Sequence, residues 1–453
     1  MEYHELSVTE AAQQIRSGQI SPIELVDALL LRTEQLDPQF HAWVSIDREA
    51  LRDEAKRSLK LLENGSRIGT LHGVPIGLKD IFYTAGTKTT ACSSRYADFV
   101  PTYDATCVSR LKDAGAIMMG KLVTTPYAAS DPSPTLNPWD TDRTPGGSSS
   151  GSAVAVSTGM CPAALGSQTV GSTLRPAAYN GIVGLKPTFG RISLHGVIPL
   201  GWTLDTVGIL TRTVSDAELL LRAMSGYDAR DPVSATNSFE PVERFKCQSF
   251  SPRIGIVEEF FFQHSDQETK SHMNVVVNKL SDAGARITRN ILSESDLEDL
   301  HHATTTTFNV EVATEHGPSY IADSSLYPPQ IAALIEKGLQ TPAHTYAAAQ
   351  RTRVIFRRKL QECFETVDVL LSPSTPTQAP LRTTGTTGPP IFQGPWTSAG
   401  IPAISIPFFL INLSPIILHP NFSKIFPRDM GSSLYIDCHK NTSDAADEQS
   451  SVD

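Results

Sequence analysis

No His-Glu-x-x-His run, no Cys-x-x-Cys pair and no Cys/His spacing of the metal-binding kind occurs in these 453 residues. The usual zinc sites are therefore not expected. The six cysteines, Cys92, Cys107, Cys161, Cys247, Cys363 and Cys438, are scattered, and the N-terminal MEYHELSVTE is polar and acidic rather than a signal peptide. They read as free thiols in a reducing compartment, the cytoplasm. An excess of positive charge is missing too. Against 48 Asp and Glu stand 38 Lys and Arg, a net charge of −10. No basic cluster overrides this, so nucleic acid and anionic membranes are not expected partners. Residues 401–418 carry no charge and are mostly apolar, but Pro402, Pro407 and Pro415 interrupt them, so no membrane span is expected. No internal repeat and no long linker divides the chain.

What is present begins with two helix starts. Ser7 with Glu10, and Ser21 with Pro22 and Glu24, fit capping boxes. A charged helix is expected from about Asp47 to Leu62, and another after Thr213. Residues 68–210 are rich in Gly, Ser, Thr and Pro around short apolar runs such as 116–119. That composition predicts short buried strands joined by tight loops, where reactive groups tend to sit. A strand at 253–257, a helix carrying Met273, Val276, Val277 and Leu280, and a strand at 285–287 make a strand-helix-strand unit. Helices from about Pro328 to Phe364 lead into a strand at 367–371.

Three segments carry the chemistry. In GVPIGLKDIF (73–82), Lys79 is set in an apolar run. In PGGSSSGSAVAV (145–156), small residues let the backbone turn tightly and expose hydroxyls. In GSQTVGSTLRPAAYNGIVGLKPTFGR (166–191), Ser172 follows Thr169, Val170 and Gly171, a loop able to present several backbone N–H groups on one side. None of the three holds a histidine, so a base that activates a serine must be something else. Lysine is charged at its ordinary pKa, but burial in an apolar setting disfavours the cation.

Two other patterns in this region read as structure. Gly147 to Gly151 fits G-x-S-x-G with Ser149 as nucleophile, but the residues before it are polar and include Pro145, not the strand that motif needs. Gly115 to Lys121 nearly fits a phosphate-binding loop, but Leu122 stands where Ser or Thr is required, and the apolar interior reads as a buried strand. His301-His302 reads as a solvated helix start. Arg175 reads as a buried charge paired with a carboxylate.

The three segments, in this order and with Ser172 24 positions after Ser148, resemble the amidase signature family. The resemblance is dense over 68–212 and extends, through VDVLLSPSTPT (367–377) and PWTSAGIPAISIP (395–407), across most of residues 5–407. It implies an α/β fold in one domain over 1–407, a large mixed β-sheet with helices on both faces. It implies neither metal nor organic cofactor. Lys79 matches the family's base, Ser148 its bridging serine after a cis peptide, and Ser172 its acyl-forming serine. Thr169, Val170, Gly171 and Ser172, with Ser148 beside them, match the oxyanion and substrate-binding loop.

The implied reaction is hydrolysis of a small-molecule carboxamide through an acyl-serine, releasing ammonia or an amine. Acyl transfer or ester cleavage, glutamine hydrolysis within a tRNA-dependent amidotransferase assembly, and an inert or binding-only protein are the alternatives. A homodimer is among the expected assemblies.

The chain departs from the family at four places. Gln168 stands for a frequent Asp, Val170 for a common Gly, and Pro126 for a frequent Glu. After Pro407 the family continues with a Gly-rich turn, a core strand and a helix, whereas residues 408–453 read as an atypical segment. A retained intron would account for such a segment, which is expected to be disordered from Asn441 and to leave the core short of its last elements.

Overall fold

A computed structural model describes residues 2–236 and 251–408. The first two helices start where the caps predict. Ser7 Oγ accepts the Glu10 N–H at 3.2 Å while the Glu10 carboxylate accepts the Ser7 N–H at 2.9 Å, opening α1 (Val8–Arg16). Ser21 and Glu24 repeat the arrangement at 3.2 and 2.8 Å, opening α2 (Pro22–Phe40). The other helices are α3 (Arg48–Glu63), α4 (Thr106–Asp113), α5 (Ser150–Ser157), α6 (Leu174–Asn180), α7 (Val214–Met224), α8 (Glu259–Gln263), α9 (Gln267–Asp282), α10 (Glu294–Ala322), α11 (Pro329–Leu339), α12 (Ala343–Thr366) and α13 (Gly394–Ser398).

The strands are β1 (Trp43–Ser45), β2 (Pro75–Lys79), β3 (Ile117–Leu122), β4 (Ala163–Gln168), β5 (Val183–Lys186), β6 (Thr206–Thr211), β7 (Arg253–Ile256), β8 (Arg286–Arg289), β9 (Val369–Leu371) and β10 (Ala403–Ser405). Seven form a mixed sheet in the order β1-β3-β2-β4-β6-β5-β10. Its centre is parallel, β2 pairing with both β3 and β4, and the remaining pairs are antiparallel. Helices cover the central strands, so they are buried on both faces. That is why they read as apolar and small residues without alternation. Leu165, in the middle of β4, is fully buried. Leu165→Ala should lower the unfolding free energy by about 3 kcal/mol, read from a denaturant titration.

The large mixed sheet flanked by helices is the one expected. Of the strands after residue 250, β7, β8 and β9 form a second sheet in the order β8-β7-β9, all parallel, while β10 joins the first. Between its edge strand β9 and the edge strand β10 lies a groove lined by Leu370, Leu371, Phe392, Trp396, Ile404 and Ile406. Among the described residues no strand bridges the two edges, so two sheets stand where one continuous sheet was expected. His301 and His302 lie well inside α10, which starts at Glu294 behind a Ser293 cap, not at a helix start.

Cys92, Cys107, Cys161 and Cys363 are unpaired thiols. Cys247, Cys438 and the atypical segment from Phe409 onward fall outside the described residues. Of the apolar stretch 401–418 only 401–408 is described, and part of it is β10. Among the described residues no helix is long and apolar enough to cross a membrane.

Candidate active site

The parallel pairing of β2 with β4 places Leu78 opposite Leu165. The C-terminal ends of these two central strands therefore meet at one level. Lys79, the last residue of β2, is completely buried. Its Nζ lies 2.6 Å from Ser148 Oγ and 2.7 Å from Ser167 Oγ. Burial lowers its pKa to about 7, while Asp205 and Cys92 act the other way.

Ser148 follows Gly147 through a cis peptide bond in the turn that leads into α5. Its carbonyl accepts from Thr124 Oγ1 and from the Thr125 N–H, both at 3.1 Å. Position 147 has no room for a side chain. A Cβ there would lie 2.9 Å from the methyl groups of both Thr125 and Thr387. The neighbouring Ser149 is buried, and its hydroxyl donates to the Ser167 carbonyl at 3.3 Å. No strand precedes it, as the sequence indicated.

Ser172 sits in the loop between β4 and α6. Its carbonyl accepts the Ser149 N–H at 3.2 Å, which holds it beside Ser148. Among the described residues its hydroxyl makes no hydrogen bond, and at 8% exposure Ser172 is the most open of the site's serine and threonine residues.

The carbonyls of the preceding loop are held away from that space. Thr397 Oγ1 donates to the Val170 carbonyl at 3.0 Å, and the Arg175 N–H donates to the Gly171 carbonyl at 3.0 Å. Thr169 Oγ1 donates to the buried Asp205 at 2.6 Å. Among the described residues no acceptor takes the main-chain N–H of Val170, Gly171 or Ser172. Successive unused N–H groups in a tight loop form a concavity suited to an anion. A buried amine of lowered pKa, a bridged pair of hydroxyls, a free serine and an anion-binding loop together suit acyl transfer through a serine.

Sequence comparison agrees with this chemistry. The sequence model of the Amidase family matches residues 24–411. The chain belongs to the amidase family. It is 34% identical to a glutamyl-tRNA(Gln) amidotransferase subunit of Roseiflexus sp. (strain RS-1), over 83% of each chain. It is 36% identical to a putative amidase AmiD of Mycobacterium bovis, over 89% of this chain and 87% of that one. Among solved structures it is similar to a peptide amidase in complex with the competitive inhibitor chymostatin. The TM-score is 0.77 at 27% identity, covering 91% of this chain and 92% of that one.

In this amidase-family chain three of the four departures lie in the described residues and can be placed. Gln168 is buried and its Oε1 accepts the N–H groups of Thr173 and Leu174, both at 3.0 Å, across the loop that holds Ser172. Val170 keeps its N–H. Pro126 opens a single turn in which Tyr127 and Ala128 take positive φ, and Tyr127 stacks on Tyr327 with centroids 4.7 Å apart.

Arg175 is buried as expected but is not paired with a carboxylate among the described residues. Its Nη2 donates to the Gly147 carbonyl at 2.7 Å and to Thr387 Oγ1 at 3.1 Å. Main-chain carbonyls crowd this turn, and one of them supplies the anchor an acid was expected to give.

Three neighbours of the site were not foreseen. Ser167 follows from strand register, since it lies two positions beyond Leu165 on the strand beside Lys79. Asp205 had a signal in the segment WTLDTVG, an acid at the start of an apolar strand. Thr397 had none.

Proposed function

We propose that this chain hydrolyses a carboxamide with Ser172 as nucleophile, Ser148 as bridge and Lys79 as base. The observation that carries the reading is the fully buried Lys79 amine 2.6 Å from Ser148 Oγ. An amine near pKa 7 is substantially neutral at physiological pH and can accept a proton. Ser167 takes up one of its hydrogens, which leaves the nitrogen lone pair for Ser148.

As Ser172 Oγ attacks the amide carbon, its proton passes to Ser148, whose own proton passes to Lys79. The carbonyl oxygen becomes an oxyanion facing the free N–H groups of the 170–172 loop. One such donor is worth about 3 kcal/mol in the transition state. The proton then returns by way of Ser148 to the amide nitrogen, the C–N bond breaks and the amine leaves. Water, activated by the same relay, splits the acyl-serine to a carboxylic acid. The sum is amide plus water giving acid plus amine.

The relay needs neutral Lys79, so the acylation rate should rise about tenfold per pH unit below pH ~7 and level off above it. Single-turnover acylation from acid to mildly alkaline pH measures this. A rate flat through that range would contradict it. The reading as a whole is tested by mass spectrometry after exposure to a fluorophosphonate, which modifies activated serines. Modification of Ser172 supports it, and modification elsewhere or nowhere on folded protein contradicts it.

The amidotransferase relative favours a second reading, in which the amide is glutamine and a partner protein uses the ammonia. A glutaminase assay with and without candidate partners separates the two. A reducing compartment such as the cytoplasm suits the four unpaired thiols among the described residues.

A further inference from the structure

The donors of the 170–172 loop are aimed through their own peptide carbonyls. A trans peptide is planar, so its C=O and N–H point in opposite directions. The Val170 carbonyl and the Gly171 N–H belong to one peptide, and whatever holds the first aims the second. That holder is Thr397 on α13, 227 positions away in sequence. Beside a glycine, the 170–171 peptide has little steric resistance to turning, so the hydrogen bond decides its orientation.

The direction of that bond is set by Gln168. Its Oε1 is committed to two main-chain N–H groups, so Nε2 must face Thr397, and it donates to Oγ1 at 2.9 Å. A threonine hydroxyl has one hydrogen. Since Gln168 presents a donor, Thr397 accepts there and spends its hydrogen on Val170. A carboxylate at position 168 would instead take that hydrogen and release the Val170 carbonyl.

We infer that Thr397 is a positioning residue for the Gly171 N–H and that the amide of Gln168 fixes the polarity of the connection. Arg353 on α12 reinforces the arrangement. It donates to the carbonyl of Ser398, next to Thr397, at 3.2 Å and to the Thr203 carbonyl at 3.0 Å. It thereby links α13 to the segment carrying Asp205, which holds Thr169. This rests on the proposed use of Ser172 and of the loop N–H groups.

The test is the saturable rate of fluorophosphonate modification at Ser172, since the phosphonyl oxygen occupies the oxyanion position. Thr397→Val should lower the maximal rate about 10- to 100-fold, less than the roughly 100- to 1000-fold for removing such a donor outright, because the N–H is misaimed rather than lost. The half-saturating probe concentration should stay within about threefold. Thr397→Ser should restore the rate to within about threefold, because it keeps the hydroxyl. Gln168→Glu should match Thr397→Val, and the double variant should be no slower than either, as for two parts of one connection.

A wild-type rate in Thr397→Val or in Gln168→Glu overturns this inference alone, as does a Thr397→Ser variant as slow as Thr397→Val. A wild-type protein left unmodified at Ser172 overturns the nucleophile assignment and this inference with it.

Discussion

Ser172→Ala is expected to lower amide hydrolysis by about 10⁴-fold or more, the range seen when a serine nucleophile is removed, without disturbing the fold. The site supports both halves of that expectation. The Ser172 hydroxyl makes no hydrogen bond among the described residues, and its structural contribution is the main-chain carbonyl bound by Ser149. Alanine keeps the carbonyl. Thermal unfolding should therefore be nearly unchanged while turnover and fluorophosphonate modification both vanish. The closest alternative hydroxyl, Ser149, is buried and committed to the Ser167 carbonyl. Ser149→Ala should retain activity that Ser172→Ala loses. The reverse pattern would transfer the nucleophile to Ser149.

Lys79→Met and Lys79→Arg are expected to fall together, each by about 10³-fold or more, because general base and relay are lost as a unit. The arginine variant separates two roles a lysine could have. If position 79 served only as a positive charge beside the hydroxyls, a guanidinium would keep much of the activity. A base must release its proton near neutrality, and a guanidinium does not. Lys79→Met also leaves Ser148 and Ser167 without their shared partner, each loss costing about 1 kcal/mol. Against this stands relief from burying an amine. The methionine variant should therefore stay folded, and circular dichroism with a melting curve checks that the lost rate is not lost structure. Substantial activity in Lys79→Arg would contradict the role of base.

The parts of this site that a reader of the sequence can recognise are those whose signal is local. Lys79 stands out because a lysine inside an apolar run has few structural reasons to be there. Ser148 and Ser172 stand out only through the joint presence of the three segments and the family resemblance it carries, since a serine run and a Gly-Ser pair taken alone read as a flexible loop and a turn. Helix starts at Ser7 and Ser21 are equally local, since both partners of a capping box lie within one turn.

What escaped notice depends on chain segments that meet only after folding. Ser167 touches Lys79 because β4 pairs with β2 in a particular register, and register is a property of two strands. Thr397 reaches Val170 from the far end of the chain. Arg175 was expected to find a carboxylate, but main-chain carbonyls are invisible as sequence, and Gly147 supplies one. The start of α10 was set too late, at the His301-His302 pair, although Ser293 with Asp296 is a legible cap. The separation into two sheets likewise depends on what lies between β9 and β10, which neither strand's own residues declare.

All of these roles depend on whether the amine of Lys79 gives up its proton near neutrality. Lysine labelled with ¹⁵N at Nζ, assigned by comparison with Lys79→Met and titrated by NMR, reports that directly. The account predicts one amine signal that changes from ammonium to amine at about pH 7, in a protein that remains folded throughout. A Lys79 signal that stays in the ammonium form up to the ordinary lysine pKa, about 10.4, would contradict it.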